Sequence, residues 1–347
     1  MKKNINLYDK SNLRESILSI SQQFKDGFEL AKNIKITDDF DKIMISGMGG
    51  SALPGDILRT YFNEPLTKNS TYAKIEVYQN RFYKLPAMAY KQCLNIVCSY
   101  SGNTEETLSS LQEAIDNKLP IVAISSGGKI EKICLENNIP HIKLTKPSNN
   151  FQPRMALGYF VSAIIQLLIN SEKIDPAHKN NILESTQDLS ERIIQLEEQG
   201  KNLAKKLIGK TPIIYSSEKF NCLPLIWKIR FNENSKTPAF WNFFPELNHN
   251  EFVGFTNPQS EYFIIILKDI LDDPRNLRRY DLTAKFLENK NIPTETINIP
   301  QGEMMYRIFS SLALSNWVSY YLALEYQTDP TPVIMVEEFK KELKELK

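Results

Sequence analysis

The sequence predicts an α/β protein of two doubly wound domains, each a parallel sheet flanked by helices. Three observations carry that expectation. Short apolar runs repeatedly end in Gly, Ser or Asn, and segments of helical spacing follow them. The chain has 347 residues, enough for two separate cores. The second half also repeats the rhythm of the first. A local match between ICLENNIPHIKL (residues 133–144) and KFLENKNIPTETINI (residues 285–299) points to an internal duplication. The domains are placed at residues 1–174 and 175–347.

The elements follow in order. KIMISGMGG, from Lys42, reads as a buried strand entering a glycine turn, and ALPGDILRTYF as the helix after it. KIEVYQN and LNIVCSY are the next strands. After the second, Leu108, Leu111, Ala114 and Ile115 recur at helical spacing, with Glu105 and Glu106 in the first turn. IVAISSGG, a helix through Ile133 and Leu135, and HIKL close the first sheet. RMALGYFVSAIIQLLIN is a mostly apolar helix. Residues 171–206 turn polar while Leu189, Ile193, Leu196, Leu203 and Leu207 keep a stripe, which predicts a long amphipathic helix linking the halves. TPIIYSS, EYFIIILKD and TETINI are the strands of the second half, separated by the helices LPLIWKIRFNENSK and LTAKFLENKN.

Composition narrows the function classes. With 42% apolar residues, 24% charged residues and a formal net charge of +1, bulk electrostatics draw the chain to neither nucleic acid nor an anionic membrane. VSAIIQLLI is too short to span a bilayer. The basic start MKKNINLYDKSNL lacks the apolar core of a secretory signal. Four cysteines without ligand spacing read as reduced packing thiols, and the expected location is cytoplasmic.

Two turns carry chemistry. Gly47–Ser51 ends the first strand and opens a helix, and its glycines allow an anion close to free backbone N–H groups. SYSGNT, with Ser99, Ser101 and Thr104, is a second strand-to-helix turn dense in donors. Together they form a phosphate cradle of neutral donors at the carboxyl ends of parallel strands. GMGGSALP lacks the P-loop lysine and GMGG does not complete GxGxxG, which argues against a nucleoside triphosphate and a dinucleotide. The plain alternative is that each turn is only a good helix cap. The turn after YFIIIL in the second half is KDILDDP, so only the first half kept the donor-rich turns.

A second constellation, FNENSKTPAFWNFFPELNHNEFVGF, gathers Glu233, Lys236, Glu246, His249 and Glu251 among aromatics. A carboxylate that moves a proton and an imidazole that works on an oxygen suit acid–base chemistry. A solvated loop with a chance histidine competes equally. The chain holds three histidines and shows no HxH or HExxH spacing, so metal binding is disfavoured. Arg154 precedes an apolar helix, where the helix dipole slightly disfavours a cation. That mild misfit hints at a bound anion, against a plain surface guanidinium.

GMGGSALPGD, SYSGNTEETL and NENSKTPAFWNFFPELNHNEFVG together resemble the bifunctional phosphoglucose/phosphomannose isomerase family, of the sugar isomerase (SIS) superfamily. The likeness extends over essentially the whole chain, to the ending DPTPVIMVEEFKKEL. It implies two SIS-type domains, no cofactor and no metal. Gly50, Ser51, Ser99, Ser101 and Thr104 would hold the sugar phosphate. Glu233 would shuttle a proton between C1 and C2, and Arg154 would stabilise the cis-enediolate. His249, donated across a homodimer, would help open the ring, and Lys340, with Lys341 adjacent, would contact the ring-oxygen region. A non-catalytic phosphosugar sensor and an isomerase of another phosphosugar are the alternatives. The segment before the first strand is too short for the DNA-binding module that such a sensor carries.

Overall fold

The computed structural model describes residues 7–62 and 75–345. It divides into two compact units that interleave along the chain. One holds Leu18–Arg192 with Pro300–Phe309; the other holds the chain up to Ile17, Ile193–Ile299 and everything from Ser310 onward.

The first unit is built on five parallel strands: β1 (Lys42–Ser46), β2 (Glu76–Asn80), β3 (Cys93–Cys98), β4 (Ile121–Ser125) and β5 (His141–Lys143). Their order is β2-β1-β3-β4-β5. Every residue of β3 is buried, as expected of a central parallel strand covered on both faces. Ile43, Ile45, Leu94 and Ile96 are fully buried, each stabilising the unit by about 2 kcal/mol. Before β1 come α1 (Leu13–Leu18) and α2 (Ile20–Leu30). The crossovers are α3 (Leu53–Phe62), α4 (Glu105–Asp116) and α5 (Gly128–Glu136).

After β5 comes α6 (Leu157–Asn170), with Phe160, Val161, Ile164, Ile165, Leu167 and Leu168 all fully buried. It lies against α2 at contact distance. A Cβ on Gly27 would meet Ser162 Oγ at 2.1 Å, and one on Gly158 would meet the Gln23 side chain at 2.7 Å. Two glycines therefore set how close these helices come, and α6 in turn fixes the turn that precedes it.

The long amphipathic helix is present as α7 (Ala177–Lys206), divided between the units after Arg192. The second unit carries β6 (Thr211–Ser217), β7 (Phe240–Phe244), β8 (Tyr262–Lys268) and β9 (Thr294–Asn298), all parallel, in the order β7-β6-β8-β9. The intervening helices are α8 (Cys222–Glu233), the short α9 (Glu251–Gly254) and α10 (Pro274–Glu288). Then follow α11 (Met304–Glu325) and α12 (Ile334–Glu345). No helix among the described residues is long and apolar enough to cross a membrane.

The second sheet repeats the first four strand positions of the first. β6 stands as β1, β7 as β2, β8 as β3 and β9 as β4. The ICLENNIPHIKL match does not follow this equivalence. That pairing sets α10–β9 against α5–β5, whereas strand order sets it against α4–β4. The matching residues are a recurrent helix-to-strand loop. Lys118-Leu119-Pro120, Asn138-Ile139-Pro140 and Asn291-Ile292-Pro293 each begin with a left-handed residue (φ 54, 55 and 59°). In each, the middle N–H closes the helix, onto Ala114 O, Cys134 O and Leu287 O. Each proline carbonyl then accepts an N–H from the neighbouring strand.

β7 is an element that the sequence expectations lack. All four cysteines are free and buried. Burial pushes the Cys134 thiol up to about 11 and Cys93 to about 12, which leaves both protonated and unreactive at neutral pH.

Candidate active site

Strand order fixes where a ligand can approach the first unit. The crossovers change direction on either side of β1 and β3, and at their carboxyl ends the sheet opens a crevice. The two donor-rich turns follow these strands. Gly49–Ser51 forms a single 3₁₀ turn after β1, and Ser99–Thr104 joins β3 to α4.

The turns are wired to each other. Tyr100 N donates to Ser51 Oγ (3.0 Å), which joins the second turn to the first. Ser99, fully buried, pairs its hydroxyl with Thr104 Oγ1 (2.9 Å) and accepts from Gly102 N (3.1 Å). Ser101 is exposed and accepts weakly from Asn103 N (3.3 Å). Among the described residues, no acceptor takes the backbone N–H of Ser101 or Thr104. These amides, the Ser101 hydroxyl and the open first turn of α4 form one donor surface.

Two close backbone approaches hold it. A Cβ on Gly50 would stand 2.6 Å from Arg154 Cα and 2.7 Å from Arg154 N, so the first turn packs against the 3₁₀ turn Pro153–Met155. A Cβ on Gly102, at φ +68°, would fall 1.7 Å from Gly127 O. Ser126–Gly128, after β4, is thus a supporting turn that the sequence expectations do not assign to the site. Ser126 N and Ile130 N reinforce it by donating to Tyr100 O and Gly102 O.

Arg154 is only 1% exposed, so the surface-guanidinium alternative is wrong. The Gly50 contact and the buried helix behind it draw the residue inward. One of its N–H groups donates to Gln152 Oε1 (3.1 Å). The structure brings Gly50, Ser51, Ser99, Ser101, Thr104 and Arg154 into one unit, with Gly50 and Arg154 in backbone contact.

Glu233, His249 and Lys340 belong to the other unit. Glu233 is the last residue of α8 and half-buried. The turn beyond it is tightly bound. Asn234 is buried and donates to Ser319 Oγ (2.9 Å), while Ser235 Oγ returns to Phe231 O (2.8 Å). Lys236, at φ 54°, folds its ammonium onto the Glu233 carbonyl (2.7 Å). These bonds hold the helix end that carries the carboxylate.

His249 ends the 3₁₀ turn Glu246–His249 and is exposed. Lys340 lies on α12, with both it and Lys341 exposed. Among the described residues the side chains of His249 and Lys340 make no hydrogen bond and no ion pair. A cluster that spacing alone does not reveal lies two residues further along the chain. Glu251 takes a hydrogen bond from Tyr215 Oη (2.5 Å) and another from Asn242 Nδ2 (2.5 Å).

Parallel sheets with a donor-rich turn at the strand-order reversal define a doubly wound α/β protein able to receive an anion there. Comparison with known proteins agrees. Residues 196–343 match the family model described as the bacterial phospho-glucose isomerase C-terminal SIS domain. Over 96% of this chain and 99% of the relative's length, the sequence is 38% identical to a bifunctional phosphoglucose/phosphomannose isomerase of Caldicellulosiruptor bescii. A protein of the same name from Aquifex aeolicus is 30% identical over 95% of this chain and 99% of its own. The chain belongs to the bifunctional phosphoglucose/phosphomannose isomerase family. In fold it is similar to protein TT0462 of Thermus thermophilus, with a TM-score of 0.71, 13% identity, and coverage of 99% of this chain and 93% of that one.

Proposed function

We propose that the protein is an aldose–ketose isomerase that interconverts glucose 6-phosphate and mannose 6-phosphate with fructose 6-phosphate. Family membership supports the reaction, and one observation carries the substrate class. The crevice between β1 and β3 is lined by neutral donors and backed by the turn of a buried arginine. It suits the phosphate of a small molecule. In this reading Gly50, Ser51, Ser99, Ser101 and Thr104 hold the phosphate, a group the reaction never alters. Binding it fixes the sugar and supplies energy for the chemical step.

Glu233 removes the proton from C2 of the aldose and returns it to C1, passing through a cis-enediol(ate). Half-burial and a rigid helix end suit such a base, because the C–H bond is weakly acidic and the geometry must be held. Arg154 stabilises the enediolate, as a guanidinium stays charged at any working pH. His249 moves a proton to and from the ring oxygen to open the hexose ring, and is donated across a homodimer. Its exposure and lack of any partner fit a side chain that works on something outside its own unit. Lys340 completes the contacts near the ring oxygen.

A coupled assay on chelator-treated enzyme, offered each aldose phosphate separately, should yield fructose 6-phosphate from both. Glu233→Gln should lower turnover at least about 1,000-fold. Calorimetry should find phosphosugar affinity within about threefold of wild type, since the amide keeps the shape and the phosphate site is untouched. Phosphosugar binding without conversion by the wild-type protein would make it a sensor; substantial turnover by Glu233→Gln would remove that residue from the role of base.

A further inference from the structure

The segment that carries His249 is held by a post that the family comparison does not assign. After β7 the chain passes Pro245, makes the 3₁₀ turn Glu246–His249 and enters α9 at Glu251. Every polar side chain flanking the histidine is committed. Asn248 donates to Thr283 Oγ1 (3.0 Å) and accepts from Arg279 (3.2 Å), both on α10. Asn250 accepts from Glu251 N (2.6 Å) and donates to Glu246 Oε1 (2.6 Å), bridging over the histidine's position in the chain. Leu247 is fully buried in the core of the sheet. Between these anchors the exposed His249 side chain is the one without a hydrogen bond among the described residues.

We propose that Glu251 is the positioning residue for His249, acting as a post tied to two strands at once. Its two carboxylate oxygens have one donor each, Tyr215 on β6 and Asn242 on β7. With both oxygens taken, the carboxylate cannot rotate. Bonds to an ionised acceptor are roughly twice as strong as neutral ones, which makes this the firmest of the anchors. Its base is rigid. Tyr215 is fully buried and stacks edge-on against Phe244, with ring centroids 6.1 Å apart. Burial and the neighbouring carboxylate push the Tyr215 phenol well above its usual range, so it remains a donor. An imidazole without hydrogen bonds of its own is oriented only by the backbone beneath it. The side chain that fixes that backbone two residues on therefore controls where the ring points.

This inference rests on the role proposed above for His249. The test is a double-mutant cycle read in hexose-phosphate turnover, with melting temperature recorded for each variant. Glu251→Ala should lower kcat at least about tenfold with KM within about threefold, and Glu251→Gln should fall between Glu251→Ala and wild type, because an amide keeps one acceptor for the two donors. In a His249→Ala background, Glu251→Ala should cost less than about twofold, since the residue it positions is gone. An equal cost in both backgrounds, or full activity in Glu251→Ala, overturns the inference while leaving His249 its role. Wild-type turnover in His249→Ala alone removes that role and the inference with it. Should Glu251→Ala fail to fold, Glu251→Gln against His249→Ala/Glu251→Gln carries the same cycle.

Discussion

The two sheets share four strand positions yet their crevices are chemical opposites. At the ends of β1 and β3 the chain supplies glycines, hydroxyls and unpaired amides. At the corresponding ends of β6 and β8 it supplies Asp269, whose side chain is 1% exposed and takes Lys219 Nζ at 3.1 Å and Leu271 N at 3.0 Å. Asp272 stands nearby and accepts from the buried Tyr280 phenol (2.5 Å). The second crevice thus already contains its own anion, and a phosphate approaching it would meet carboxylates instead of donors. Topology creates a place for a ligand, and the residues of two loops decide whether it is one.

The largest effect expected from breaking this comparison is at Gly102. Its φ of +68° is open to glycine, and an added Cβ would collide with Gly127 O. Gly102→Ala should therefore cost about 3–4 kcal/mol and weaken phosphosugar affinity at least about 100-fold, because two turns must separate. Gly209 in the second unit is the matched control. It has φ +74° but nothing within 4 Å of an added Cβ. Gly209→Ala should cost only about 1 kcal/mol and leave affinity unchanged. Urea unfolding and calorimetry on both variants decide it; equal losses would mean that backbone conformation, and not the docking of the turns, is what matters at Gly102.

A smaller effect should follow from emptying the second crevice. Asp269→Ala leaves the Lys219 ammonium without this partner and the Leu271 N–H without an acceptor. The expected destabilisation is about 2–3 kcal/mol with no change in phosphosugar affinity. A loss of affinity comparable to that of Gly102→Ala would show that both crevices serve the ligand, and the contrast between them would fail.

Much of this was legible beforehand, for physical reasons. Parallel strands buried on both faces need apolar runs, and ligand turns at their ends need Gly and hydroxyl residues, so β1, β3 and their turns are plain in KIMISGMGG and LNIVCSYSGNT. β7 was not. FWNFF is an edge strand with no alternation to mark it, and the aromatics around it read as a loop. The depth of Arg154 was also hidden, because it depends on the backbone of Gly50 meeting that of Arg154 across about a hundred residues of chain. Glu251 shows the same limit. Its donors are 9 and 36 residues away, one on each of two strands, and no local spacing announces them.

The histidines offer the finest test of the difference between the units. His141 on β5 is half-buried with a ring nitrogen 2.8 Å from Ser125 Oγ, and His178 is 7% exposed with Nδ1 at 2.6 Å from Tyr61 Oη. Burial lowers the pKa of both below the ordinary 6.5. Each is therefore neutral in the folded first unit over a range where the unfolded chain binds the proton. Stability from both is complete above about pH 6.5 and is lost as pH falls towards the folded-state values, by at most about 1.4 kcal/mol per pH unit for each. The one histidine of the second unit, His249, is exposed, so that unit holds no buried imidazole. Hydrogen exchange, corrected for its intrinsic pH dependence, should show β1, β3 and β4 losing protection between pH 7 and pH 5.5 by about 1–2 kcal/mol more than β6 and β8. His141→Asn with His178→Gln should flatten the loss. Equal weakening of both sheets would place the acid sensitivity outside these two histidines.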